Sequence, residues 1–238
     1  MTARQAALFD LDGVLLDSAD AVRSTLAAVA TCALGRRVTP GDLPPGALRR
    51  PRCEVLALLD VADPDDACDR WWDGALSAHP VQPFPSVLSG LLALRAQGTA
   101  TGAVTLQDPD RLRWLLPPTL ADLLEVVITR QDTRPKPAPD GLHAALSRLD
   151  VPPETAVFVG DSPTDMTAAR AAGVIALGAT WGWHPPGRPA RCRGRSPPAR
   201  ARRHRAVPPG PPAPNRQHVT QHHHYSGGAP VRAPLLHF

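Results

Sequence analysis

The sequence predicts an α/β fold: a doubly wound parallel sheet, a small α-helical module inserted after the first strand, and a disordered basic tail. Three observations carry this. From about residue 85 onward, short apolar runs alternate with amphipathic helical stretches, the pattern of strands covered on both faces by helices. One further apolar run, AALFDL (6–11), stands by itself near the N-terminus, separated from the others by text of helical period. Beyond residue 183 both acids and apolar periodicity vanish.

In order, 6–11 reads as a buried strand ending in an acid. Residues 18–34 are apolar on a helical period, with Asp17 or Ser18 placed to cap that helix. Residues 40–80 are punctuated by proline and carry helical stretches at 54–60 and 65–76, without a strand. Then follow a helix at 86–97 stopped by Gly98, a strand at 101–106, a helix at 108–116 and a strand at 125–129. A helix at 141–149, a strand at 156–161, a helix at 162–172 and a strand at 174–178 complete the series. The expected division is therefore a core of 1–17 plus 84–183, a helical cap of 18–83, and a tail of 184–238.

The net charge of +4 hides two different polymers. The tail holds ten arginines, no lysine and no acid, together with 12 of the 29 prolines and seven of the nine histidines. Residues 1–183 then carry 16 basic and 22 acidic side chains, a charge of −6. Only six of the 55 tail residues are Leu, Ile, Val or Phe, too little apolar surface to offset chain entropy, so disorder is expected. A solvated, non-specific arm is the first reading of the tail, with binding of nucleic acid through phosphates as the alternative. Such an abrupt change of text is what out-of-frame translation from about residue 189 would produce. No run of about 18 apolar residues exists, which excludes a spanning helix, and the N-terminus has no signal-peptide stretch. Cys32, Cys53, Cys68 and Cys192 show neither CxxC pairing nor zinc spacing, as suits a reduced, cytoplasmic protein.

Five acids stand out: Asp10, Asp12, Asp17, Asp161 and Asp165. Asp10 ends the first strand, Asp12 lies just beyond it, and Asp161 ends the strand at 156–161. Open α/β sheets bind ligands outside the carboxyl ends of their strands, so neighbouring strands would bring these acids together. Clustered carboxylates repel, and a hard cation such as Mg²⁺ relieves the repulsion while leaving positions for a substrate phosphate. Gly13 frees the chain to turn after the two aspartates. Asp17 and Ser18 are taken as helix caps. Ser162, Pro163 and Asp165 form a strong helix start, which gives Asp165 a capping or supporting role, with direct ligation of the metal as the alternative.

FDLDGVLLDS (9–18) resembles the first motif of the haloacid dehalogenase superfamily of phosphohydrolases, and GDSPTD (160–165) its acidic fourth motif. Between them, Thr105 at a strand end and Lys136 in RPKPAPD (134–140) fall in the family's order, and the likeness spans roughly 5–183. The helical insertion resembles the cap of the phosphoglycolate phosphatase and β-phosphoglucomutase-like branch. The resemblance implies a Rossmann-like core with the first strand central, beside the strand at 156–161. It implies Asp10 as nucleophile forming an aspartyl-phosphate, Asp12 as acid and base, and Mg²⁺ on Asp10, Asp161 and the main-chain carbonyl of Asp12. Thr105 and Lys136 would hold the phosphoryl group. The chain departs from the family after Thr105, where Leu106 and Gln107 replace the frequent Asn-Lys pair.

Arg49, Arg50 and Arg52 could reach an anionic substrate from the cap, although clustered arginines are more often a solvated surface. Trp71 and Trp72 read as cap core and edge, and hinges are expected near 13–17 and 81–85. The functional expectation is a Mg²⁺-dependent phosphoric monoester hydrolase of a small phosphorylated metabolite. A phosphosugar mutase of the same family is the alternative within enzymes, and a nucleic-acid-binding protein acting through its tail is the alternative of another class.

Overall fold

The computed structural model describes residues 4–183; the tail and the suspected frame change near residue 189 lie outside the described residues. Strand β1 (Ala6–Phe9) leads into a tight loop and a two-residue strand, β2 (Leu16–Asp17). Helices α1 (Ala19–Leu34), α2 (Arg52–Ala57) and α3 (Pro64–Ser77) follow, closed by β3 (Gln82–Pro83). The remaining chain runs α4 (Val87–Ala96), β4 (Ala100–Val104), α5 (Pro109–Leu115), α6 (Pro118–Ala121), β5 (Val126–Ile128), α7 (Asp140–Leu149), β6 (Ala156–Gly160), α8 (Pro163–Ala172) and β7 (Ile175–Gly178).

The five longer strands form one parallel sheet in the order β5-β4-β1-β6-β7. β1 has a strand on each edge and helices over both faces, so its Ala6, Ala7 and Leu8 are all buried, which explains the unbroken apolar run. Ala6, Leu8, Phe158 and Ile128 pack with Leu142, Leu146 and Ala168 under α7 and α8. The opposite face carries α4 and α5, where Leu91 and Leu115 join a core that continues into the helical insertion through Leu26, Val29, Val55, Leu56 and Leu76. In that insertion Trp72 is buried and Trp71 half-buried, with the Arg52 guanidinium 4.9 Å from the Trp72 ring centre. None of the described helices is long and apolar enough to cross a membrane. Cys32, Cys53 and Cys68 are free.

Two features escape sequence patterning. The chain enters and leaves the helical insertion as an antiparallel ribbon, with Leu16 opposite Pro83 and Asp17 opposite Gln82. Two-residue strands leave no alternation to detect. The strands also end at Val104 and Gly160, short of the expected ends at 106 and 161, although the Thr105 N–H still donates to the Ile128 carbonyl at 2.9 Å.

Candidate active site

Register alone brings distant segments to one rim. Phe9 is opposite Ala103 on one side and Val159 on the other, so Asp10, Thr105 and Asp161 all emerge at the carboxyl end of the central strands. The Asp10 N–H still donates to the Val159 carbonyl at 2.8 Å, which fixes where its side chain starts.

Asp10 lies in a buried charge cluster. Lys136 Nζ is 2.6 Å from Asp10 Oδ1 and 2.7 Å from Asp165 Oδ1, and all three side chains are largely or wholly buried. Burial is the largest of the influences that together raise the Asp10 carboxyl to about 7; Lys136 opposes the rise, and the Asp165 charge adds to it. Burial alone would lower the Lys136 ammonium, but Asp10 and Asp165 more than offset this and hold it above its ordinary value. Lys136 is the only lysine in a chain with 25 arginines. A compact ammonium packed 5.5 Å from the Phe158 ring centre serves here, where a planar fork would need more room.

Asp165 does what its helix-start pattern predicts and more. The Ser162 N–H donates to its Oδ2 at 3.0 Å, and the Asp165 N–H donates to Ser162 Oγ at 3.2 Å, a reciprocal cap on α8. Its other oxygen faces Lys136. Gly160 makes this possible, since a Cβ there would overlap the Asp165 side chain. Oxygens of Asp10, Asp161 and Asp165 lie within 4.8 Å of one another, the only such acidic cluster among the described residues. Mg²⁺ binds carboxylate oxygens at about 2.0–2.1 Å, and a set this close fits it with little rearrangement.

Asp12 faces elsewhere. Ser18 Oγ donates to Asp12 Oδ1 and Gln107 Nε2 donates to Oδ2, each at 2.6 Å. Its carboxylate is therefore outside the acidic cluster, and the role implied for it as a metal ligand was through its main-chain carbonyl alone. Ser18, read as a capping hydroxyl, stands at the N-cap of α1 but makes no side-chain cap bond. Its hydroxyl serves Asp12 instead.

Gly13 turns the chain at φ +76°, and a Cβ there would lie 2.6 Å from Asp161 Oδ2. The Trp183 N–H donates to that same oxygen at 2.6 Å. Thr105 is buried, and its Oγ1 accepts the Gln107 N–H at 3.1 Å, which shapes the loop after β4. Of the three clustered arginines, Arg50 pairs with Glu54, Arg52 covers Trp72, and Arg49 lines a cavity of about 210 Å³ with Arg23 and Trp183. Sequence reasoning missed the roles of Ser18, Gln107 and Trp183. Only Gln107 left a signal, as a departure from the family's loop.

The family model described as haloacid dehalogenase-like hydrolase matches residues 7–179. A phosphoglycolate phosphatase of Cupriavidus necator is 34% identical over 203 residues, covering 78% of this chain and 84% of the relative. A phosphoglycolate phosphatase of Xylella fastidiosa is 33% identical over 187 residues, covering 74% and 80%. A crystal structure of a Lactobacillus plantarum protein, described provisionally as a phosphoglycolate phosphatase, superposes with a TM-score of 0.64 at 26% identity, covering 78% of this chain and 90% of that one. With the predicted strand order in place and its motif residues gathered at one rim, the chain belongs to the haloacid dehalogenase-like hydrolases, in their phosphoglycolate phosphatase and β-phosphoglucomutase-like branch.

Proposed function

We propose that this hydrolase is a Mg²⁺-dependent phosphatase that cleaves a small phosphorylated, anionic metabolite through an aspartyl-phosphate on Asp10. The observation that carries the reading is the asymmetry of the two aspartates. Asp10 is held by Lys136 at 2.6 Å inside the acidic cluster, while Asp12 is turned out of it toward Ser18 and Gln107.

An Asp10 oxygen attacks phosphorus as the ester P–O bond breaks, and Asp12 gives its proton to the departing oxygen. Water then attacks the phosphorus of the acyl phosphate, Asp12 takes the water proton, and inorganic phosphate leaves with Asp10 restored. Lys136 keeps Asp10 in place and offsets negative charge on the phosphoryl oxygens. The Thr105 hydroxyl, whose oxygen accepts the Gln107 N–H, would donate to one of them. Asp10, Asp161 and the main-chain carbonyl of Asp12 would hold Mg²⁺, with Asp165 in support, and when bound it would offset the repulsion between Asp10 and the phosphoryl group.

The cavity beside Trp183 supports the substrate class. It is about 210 Å³ and is lined by Arg49, by Arg23, which also pairs with Asp20, and by Trp183, whose N–H donates to Asp161. A space of that size with two guanidinium groups suits a short substrate with a second anionic group, and phosphoglycolate is one, as the names of the relatives suggest. Residues 18–83 would then act as a cap that closes over the site and excludes water. The reading places the enzyme in the cytoplasm, where free thiols persist.

Phosphate release from phosphoglycolate, hexose phosphates and p-nitrophenyl phosphate, with and without Mg²⁺, tests the proposal. Turnover that survives Asp10→Asn would discard the mechanism. Isomerised sugar phosphate without free phosphate would replace hydrolysis with a mutase reaction.

A further inference from the structure

A polar chain runs from the helical insertion to Asp12. Gln107 Nε2 donates to Asp12 Oδ2 at 2.6 Å, and the other end of the same amide, Oε1, accepts from Arg111 NH1 at 2.8 Å. Only one orientation of the amide satisfies a carboxylate on one side and a guanidinium on the other, so Arg111 decides which way Gln107 points. Arg111 is 8% exposed and stands one turn after Gln107, where the two side chains share a face of α5 and its approach. Its Nε donates to Asp73 Oδ1 at 2.7 Å, and its NH2 lies 2.5 Å from the same oxygen. Asp73 belongs to α3, in the helical insertion, and its side chain is 63% exposed. A second acid, Asp108, approaches Arg111 at 3.8 Å.

We propose that Gln107 and Arg111 are positioning residues for Asp12, and that Asp73 ties their arrangement to the seating of the helical insertion. The proposal rests on the reading of Asp12 as the acid and base. With both carboxylate oxygens accepting a hydrogen bond, from Ser18 and Gln107, the Asp12 side chain has one orientation rather than several. Loss of the Asp73 contact leaves Arg111 free to leave Gln107, and Gln107 free to release Asp12. Proton delivery to the leaving oxygen then depends on where the insertion sits.

The test compares two substrates. An alkyl phosphomonoester needs a proton on its departing oxygen; p-nitrophenyl phosphate, with its stabilised phenolate, needs it far less. In Gln107→Leu, kcat for the alkyl ester falls relative to kcat for the aryl ester by at least about tenfold, within the range that general acid catalysis contributes. Asp73→Asn, which keeps the shape of an exposed side chain, moves the same ratio in the same direction by about threefold, with KM little changed. A constant ratio in Gln107→Leu overturns the proposal. A constant ratio in Asp73→Asn alone removes the link to the insertion. A crystal structure of Gln107→Leu gives a reading independent of turnover. An Asp12 carboxylate displaced from Ser18 supports the positioning role, and one still in place overturns it. Should the unaltered enzyme hydrolyse neither ester, the phosphatase reading fails, while the crystal comparison still decides whether Gln107 positions Asp12.

Discussion

Around Asp10 the partners are charged, buried and rooted in the sheet: Lys136 beside Phe158, and Asp165 locked by its own helix cap. Around Asp12, two residues later, they are neutral donors on loops, Ser18 and Gln107, with the second backed by Arg111 and an exposed acid of the helical insertion. The contrast teaches how one short motif can serve two tasks. A nucleophile gains from being immovable, because its line of attack must not vary. A proton carrier serves the leaving oxygen and then the attacking water from one place, so two neutral donors, Ser18 and Gln107, that hold one orientation of its carboxylate suffice.

If the Asp10 half is the fixed one, disturbing it costs most. Asp10→Asn should lower turnover by at least roughly 10⁴-fold, as removal of a nucleophile generally does. Phosphate release measures it, and anything under tenfold would break the distinction between the two halves. Lys136→Met leaves two buried carboxylates facing each other without a cation. It should destabilise the fold by about 3–5 kcal/mol in denaturant titrations. Lys136→Arg restores charge without the compact shape, and full recovery of turnover would show that shape is irrelevant.

A smaller effect follows from pH. In EDTA-treated protein the Asp10 carboxyl sits at about 7, raised above its ordinary 3.8 by burial. A carboxyl raised on folding favours the folded state most below its unfolded value and loses that contribution as pH climbs through the folded one. Between about pH 4 and 7 the metal-free melting temperature should therefore fall relative to that of Asp10→Asn, by roughly 10 °C. Parallel curves for the two proteins would show that Asp10 is not held as described. The smallest change belongs to the Asp12 half: Ser18→Ala removes one hydrogen bond to a carboxylate and should cost about tenfold in kcat, with little change in stability. A loss as large as that of Asp10→Asn would erase the comparison.

How far the site could be read in advance varied residue by residue. Asp10 and Asp161 were visible because acids at the ends of apolar runs are conspicuous, and the sheet register brings them to one rim as the strand order required. Lys136 could have been singled out with no motif at all, as the one lysine in a chain that otherwise uses arginine. Arg111 could not, for the same reason: one arginine among 25 carries no mark of burial. Ser18 misled because a serine before a helix looks identical whether its hydroxyl caps that helix or reaches Asp12. The helix-start pattern marks Asp165 as a cap, which it is, but such a pattern says nothing about a lysine 29 positions earlier in the chain.

The sequence by itself determined the alternation of strands and helices, the place of the insertion and the acids at the strand ends, since each is written in local period and residue type. Tertiary structure decided the rest. It placed one carboxylate of FDLDG among charges and turned the other toward a glutamine 95 residues away. The physical reason is that burial and hydrogen-bond partners belong to the meeting of segments, and no single segment contains that meeting.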